Sequence, residues 1–341
     1  MNVADARHAA AERLDPAAYA RLKDFRDRVQ QAVGGVVVGM EHVVDQLLVA
    51  LVAKGHVLLE GVPGVAKTTL AKAFAAVLGL DHNRVQFTPD LLPSDVTGTY
   101  VLDRRTNDFE LRKGPIFCQV LLADEVNRAP AKTQSALLEA MQEWQTTIEG
   151  KTLPLPLPFM VLATQNPVEQ EGVYRLPEAQ LDRFLVRVQM DYPNRETEIG
   201  ILKLHGGLRD SADNGASARA DGPKFPTPQF NSGFIMEMQR MLNGVYAEPT
   251  LVQYIVDLAR ASRQHPDVGL GASPRASLYL LQGARARALL AGRHYATHED
   301  VQAMAMSVLG HRLILRAEAE IEGRDIETVV AELLSKQPVL R

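Results

Sequence analysis

Three apolar residues, Val57-Leu58-Leu59, run into the stretch Gly61-Val62-Pro63-Gly64-Val65-Ala66-Lys67-Thr68-Thr69, and a helix-compatible segment follows over residues 70–78. Strand, glycine-bearing loop, Lys-Thr and helix, in that order, is a restrictive arrangement. It asks for a buried strand whose end opens into an anion-binding turn at a helix N-terminus, the layout of a nucleoside-triphosphate site. The backbone from Gly61 through Pro63, Gly64, Val65, Ala66, Lys67, Thr68 and Thr69 can wrap phosphates. Lys67 can reach the β- and γ-phosphates, and the Thr68 hydroxyl can ligate Mg²⁺. The bland alternative is a chance glycine-rich turn ahead of an amphipathic helix. One position departs from G-x-x-x-x-G-K-[ST]: Ala66 stands where the second glycine belongs. Close to the helix start, an alanine is accommodated if its φ is negative.

The rest of the chain alternates. Apolar strand candidates lie at residues 56–60, 85–87, 120–123, 159–164 and 185–190, with helical segments at 69–78 and 132–144 between them. That predicts an α/β domain, a mainly parallel sheet covered on both faces. Two segments interrupt it. Residues 99–102 and 109–111 flank a polar stretch as a hairpin, and a second hairpin turns at Glu149-Gly150 before the proline-rich run 154–158. After Asp191-Tyr192-Pro193 the pattern turns to helices only, at 195–204, 231–242, 249–261, 274–290, 298–309 and 325–334, with Thr297 as an N-cap. Residues 206–228, rich in Gly, Ala, Asp, Ser and Pro, read as a mobile surface linker. The expected division is a helical extension over 1–35, an α/β core over 36–192 with interruptions at about 92–111 and 145–155, and a helical domain over 193–341.

A second half of the site follows from Val120-Leu121-Leu122-Ala123-Asp124-Glu125, an apolar strand ending in two carboxylates. Unpaired buried charge is costly, so such an ending needs a cause. Asp124 fits the shell of a Mg²⁺ ion and Glu125 a general base that activates water; an exposed acidic turn is the alternative. Asn166 ends the next strand candidate, where an amide can bond a γ-phosphate or the attacking water, although Asn-Pro is also a common turn pair. Arg183 precedes the last strand and Arg275 opens a helix, both suited to bidentate neutralisation of phosphate. Arg128 and Arg175 are left as surface ion pairs.

Composition narrows the class further. A net charge of −4 gives no electrostatic argument for nucleic acid or an acidic membrane. The single cysteine, Cys118, excludes an intrachain disulfide framework and reads as a small buried hydrophobe. No secretory leader or bilayer-length apolar run is visible, so the expected location is the cytoplasm. The nine histidines show no H-E-x-x-H or Cys/His ligand spacing, which disfavours a metal-dependent hydrolase.

Taken together, these residues resemble an AAA+ ATPase, and more narrowly the MoxR subfamily. The specific pieces are the loop from Gly61 to Thr68, Asp124-Glu125-Val126-Asn127-Arg128-Ala129-Pro130, Leu137-Leu138-Glu139-Ala140-Met141-Gln142-Glu143, Ala163-Thr164-Gln165-Asn166-Pro167 and Leu176-Pro177-Glu178-Ala179-Gln180-Leu181-Asp182-Arg183-Phe184. MoxR-like proteins often carry alanine at the Ala66 position. The resemblance implies a five-stranded parallel sheet followed by an all-α lid, and a homo-oligomeric ring, commonly a hexamer, with ATP or ADP and Mg²⁺ between subunits. Lys67, Thr68, Asp124 and Glu125 match the two Walker motifs, and Asn166 matches sensor 1. Arg183 matches an arginine finger acting in trans, and Arg275 matches sensor 2 acting in cis. Val38 and Gly39 fall at the adenine pocket, and both hairpins face a pore or client.

The leading expectation is therefore an ATP-hydrolysing chaperone or remodelling enzyme. From the resemblance it is expected to act on client complexes beside a protein with a von Willebrand factor A domain, in maturation, assembly or metal-cofactor insertion. A nucleic-acid motor is the alternative, disfavoured by mixed charge at Glu149, Lys151, Asp103, Arg104, Arg105 and Asp108. A chelatase-type motor subunit shares much of the same core.

Overall fold

The computed structural model describes residues 16–62, 64–165, 174, 176–205 and 225–338. Helices α1 (Pro16–Gly34) and α2 (Glu41–Val52) lead into β1 (Val57–Gly61) and α3 (Lys67–Leu78). Then come β2 (His82–Gln86), the short α4 (Pro93–Thr97), the hairpin β3 (Gly98–Asp103) and β4 (Asp108–Lys113), and β5 (Val120–Asp124). A 3-10 turn, Val126–Arg128, precedes α5 (Ala131–Glu143) and a second hairpin, β6 (Gln145–Ile148) with β7 (Lys151–Pro154). The α/β part closes with β8 (Met160–Gln165), α6 (Glu178–Leu181) and β9 (Val186–Met190).

Strands β2-β5-β8-β1-β9 form one five-stranded sheet, and every pairing in it is parallel. The strands are buried on both faces, and side-chain alternation sorts them cleanly. Val120, Leu122, Met160 and Leu162 enter one core, whereas Leu121, Ala123, Val161 and Ala163 enter the other. Near-continuous apolar strands are what a parallel sheet between helices requires. Strand β2 begins three residues earlier than its apolar run suggests, because it is an edge strand. There His82, Asn83 and Arg84 reach solvent while Val85 stays buried.

The remaining helices are α7 (Arg195–His205), α8 (Ser232–Met241), α9 (Pro249–Gln264), α10 (Pro274–Leu290), α11 (His298–Leu309), α12 (Ala317–Ile321) and α13 (Ile326–Lys336). Thr297 caps α11, and the Asp300 carboxylate accepts from its N–H at 2.9 Å. The expectation of helices alone fails here. Strands β10 (Val268–Leu270) and β11 (Ile314–Leu315) pair antiparallel, too short to register as periodicity. Of the expected linker, residues 206–224 lie outside the described residues, and residues 225–228 lie along the end of α3. Phe225 lies 4.3 Å under the Lys72 ammonium, and Pro228 packs on Gly79 at the end of α3. Helix α1 joins the larger core outright, with Phe25, Val29 and Val33 fully buried against residues of α2, α3 and the later helices.

Candidate functional site

The parallel sheet brings the C-terminal ends of β1, β5 and β8 to one edge, with β8 between the other two. That edge is where open α/β sheets bind ligands. Gly61 ends β1, and any side chain there would meet the Met190 carbonyl oxygen of β9 at 2.3 Å. Close approach of two strands therefore fixes glycine at that position. The chain then turns through Gly64, at φ 87°, and Ala66, at φ 58°, into the first turn of α3. The negative φ expected for Ala66 is overturned: the loop keeps the left-handed turn of the glycine pattern and places alanine in it. Pro63 and Asn166 lie outside the described residues, as does Arg175.

Lys67 and Thr68 open α3, and the Lys67 ammonium donates to the Gly61 carbonyl, closing the loop on itself. Partial burial pushes this ammonium below its ordinary range, opposed by the charges of Asp124, Glu125 and Glu60. The lysine and the two carboxylates are thus electrostatic neighbours. Among the described residues Lys67 has no ion pair of its own.

Asp124 and Glu125 are held in place by Thr164 of β8. Its hydroxyl donates to Asp124 Oδ1 at 2.6 Å and accepts from the Glu125 N–H at 2.9 Å. Glu125 has a left-handed backbone, φ 56°, which turns its side chain out of the strand direction. Its Oε2 accepts from Arg128 at 2.9 Å, so Arg128 does form the expected ion pair, with a site carboxylate as partner. Arg84 reaches Asp124 Oδ2 from the edge strand at 2.6 Å. Both oxygens of Asp124 therefore have donors, Thr164 on Oδ1 and the exposed Arg84 on Oδ2. The donor set of Thr68 hydroxyl and Asp124 carboxylate is hard oxygen only, which suits Mg²⁺ with water completing its shell. No group of three or more His, Cys, Asp or Glu able to hold a metal by itself occurs among the described residues.

Beside the loop opens an apolar cavity of about 580 Å³. Val38, Met40, Gly64, Val65, Ala66, Thr69 and Tyr192 are among the residues lining it, a size and polarity that suit a heterocyclic base. Gly39 packs beneath it against Thr197, where a Cβ would come within 2.6 Å.

Arg183 and Arg275 are brought together, but elsewhere. They share a separate pocket of about 330 Å³ with Lys54, Trp144 and Tyr279, and none of its lining residues lines the loop-side cavity. Arg275 lies 3.6 Å from Asp182, in the residue pair that also carries Arg183. Arg275, expected at the nucleotide of its own chain, does not line the loop-side cavity. Burial, and then the charge of Arg275, holds the Arg183 guanidinium below its ordinary range, and among the described residues its buried Nε has no partner. Sequence reading missed Thr164 and Arg84. Thr164 left one signal, a polar residue closing an otherwise apolar strand.

The chain matches the family model of the ATPase family associated with various cellular activities over residues 56–186, and that of the AAA lid domain over 260–333. It is 46% identical to YeaC of Bacillus subtilis over 94% of this chain and 97% of that one. It is 42% identical to the chaperone MoxR1 of Mycobacterium tuberculosis, over 88% of this chain and 78% of the relative. The chain belongs to the MoxR family of AAA+ ATPases. Protein MoxR of Paracoccus denitrificans is 32% identical over 85% of this chain and 88% of its own length. A solved structure from Cytophaga hutchinsonii, described as a candidate ATPase, superposes with a TM-score of 0.84 at 39% identity, covering 95% of this chain and 98% of that chain. The α/β AAA+ fold with a helical C-terminal lid is thus shared with a solved relative.

Proposed function

We propose that this MoxR-family protein hydrolyses ATP in a homo-oligomeric ring, commonly hexameric, and uses the cycle to remodel client protein complexes. One observation carries the reading. Lys67, Asp124 and Glu125 are assembled at the sheet edge, while Arg183 and Arg275 face a pocket of their own that shares no residue with that site. Each chain then holds two halves of different sites, and a second copy completes both. In this reading the base of ATP or ADP lies between Val38, Gly39 and Tyr192, and the loop from Gly61 through Pro63, Gly64, Val65 and Ala66 to Thr69 cradles the phosphates. Thr68 and Asp124 hold Mg²⁺, which neutralises phosphate charge when bound. Glu125 accepts the proton of the water that attacks the γ-phosphorus, and ADP leaves with its charge balanced by Lys67. Asn166 aligns the water. Arg183 and Arg275 serve the neighbour's phosphates together, which moves Arg275 from a cis to a trans role.

The relative named a chaperone supports a protein client. So does the first hairpin, where Phe109 is exposed among Asp108, Glu110, Arg112 and Lys113, a mixture of signs poorly suited to tracking nucleic acid. The von Willebrand factor A domain partner rests on the family resemblance, and the supply of ATP favours the cytoplasm. No helix among the described residues is long and apolar enough to cross a membrane.

The test is hydrolysis and nucleotide binding by variants, alone and mixed. Glu125→Gln is expected to bind ATP but lose at least about 100-fold in hydrolysis, the scale of a general base. Arg183→Ala and Lys67→Ala should each be inactive alone and recover activity when mixed. Wild-type turnover by Glu125→Gln, or no recovery on mixing, sinks the reading.

A further inference from the structure

The pocket of Arg183 and Arg275 contains a third cation whose position is built at a cost. Lys54 follows the C-terminus of α2, where the chain reverses: the Lys54 N–H donates to Leu51 O at 3.2 Å and the Gly55 N–H to Ala50 O at 2.7 Å. Lys54 takes the left-handed conformation this reversal needs, φ 56°, a place where glycine or asparagine is usual. The next residue cannot relieve it, because Gly55 is pressed on Leu185, with any Cβ only 2.5 Å from that side chain. Trp144, across the pocket, also stands left-handed at φ 51°. Two strained non-glycine residues thus border one pocket, the pattern of a functional site rather than of a free surface turn.

The charge balance points the same way. Lys54, Arg183 and Arg275 line the pocket against one carboxylate, Glu143, and neither Lys54 nor Arg183 has an ion pair among the described residues. The buried Nε of Arg183 has no acceptor among the described residues. A half-enclosed concentration of positive charge with an unused donor calls for an anion that the chain itself does not supply.

We propose that Lys54 is a third phosphate-binding residue of the composite site, contacting the terminal phosphates of the nucleoside triphosphate held by a second copy of this chain. This deepens the proposed function and rests on its trans arrangement. A lysine ending a helix also favours the helix dipole, a purely structural role. The two roles separate by readout. A structural lysine changes stability alone; a phosphate-facing one changes discrimination between tri- and diphosphate.

The experiment measures binding of fluorescent ATPγS and ADP to the full chain. Lys54→Gln is expected to weaken ATPγS by about tenfold, one charge-assisted contact, while ADP stays within about twofold. Lys54→Arg should restore discrimination. Mixing Lys54→Gln with Lys67→Ala subunits should recover hydrolysis, since the intact loop then faces an intact lysine. Equal loss for both nucleotides, no loss, or no recovery on mixing overturns the proposal. Arg183→Ala measured alongside tells the two readings apart. If it abolishes hydrolysis while Lys54→Gln leaves discrimination unchanged, only Lys54 is misassigned. If Arg183→Ala hydrolyses normally, the trans site and Lys54's place in it fall together.

Discussion

A residue with a Cβ gives up about 1–2 kcal/mol in the left-handed region, and Ala66 holds that conformation in the turn that defines the site. The turn is imposed from both sides. Gly61 is fixed by its approach to β9, and Lys67 begins α3 while its ammonium ties back to Gly61. Alanine is thus tolerated by the surrounding structure and not by its own preference. Ala66→Gly removes the strain but adds unfolded-state entropy of about 0.4–1 kcal/mol. The net expectation is a small gain, up to about 1 kcal/mol, seen as a rise of about 1–2 °C in the unfolding midpoint. Nucleotide affinity should change by less than about threefold, less than one contact is worth. A fall in the midpoint would show that the methyl group packs usefully against the cavity beside it. Neither the sign of this φ nor the hydroxyl bridge from Thr164 was legible in the sequence. Both depend on which strands lie next to one another, and a motif does not encode neighbours.

Elements were more legible than residues. All five sheet strands and both hairpins follow from apolar runs and turn residues, because a strand buried on two faces has few alternatives to an apolar run. What failed were elements whose environment is one-sided or small: the solvent-facing start of β2, the two-residue pairing of β11, and the packing of residues 225–228 on α3. His56 shows how the elements are tied. Fully buried ahead of β1, its Nε2 donates to the Met141 carbonyl of α5 at 2.9 Å and its Nδ1 accepts from the Val161 N–H of β8 at 3.0 Å. Those two bonds require the neutral ring, and burial pushes its pKa down from 6.5 to about 4. Because the folded value lies below the unfolded one, the unfolded chain binds the extra proton. Stability is therefore complete above pH 6.5 and declines as pH falls toward 4, by about 3 kcal/mol over that window. Denaturant midpoints measured from pH 7 to pH 4.5 should fall, and His56→Gln should flatten that part of the curve. An unchanged slope in His56→Gln would assign the loss to other groups.

On the scale of the whole molecule, the four residues Asp182 to Leu185, Arg183 among them, form one polar joint between the lid and the α/β part, beside the shared apolar core. Buried Arg312, between α11 and β11, directs its guanidinium into this segment. It pairs with Asp182 Oδ1 at 2.8 Å and donates to the carbonyls of Asp182 at 3.0 Å, Leu185 at 3.3 Å, Phe184 and Val308. Tyr279 of α10 lies under that guanidinium at 5.0 Å, and its hydroxyl donates to the Arg183 carbonyl. Ser273 and Arg275 reach Asp182 from the same lid. Lid position and the position of Arg183 are thus one mechanical variable. The joint is asymmetric in what its loss exposes. Removing the Asp182 charge leaves an amide that still accepts and a guanidinium that keeps its carbonyl partners. Removing Arg312 strips the donor from several buried carbonyls at once, each worth about 1–3 kcal/mol when unsatisfied. Arg312→Met should therefore destabilise by at least about 3 kcal/mol, as expected for breaking a buried pair, and clearly more than Asp182→Asn. Calorimetry of both variants decides it. Arg312→Met is also expected to broaden or split the thermal unfolding profile relative to wild type, since the lid then melts with less dependence on the sheet. Equal effects from the two substitutions would mean that the ion pair, and not the carbonyl fork, carries this joint between the lid and the α/β part.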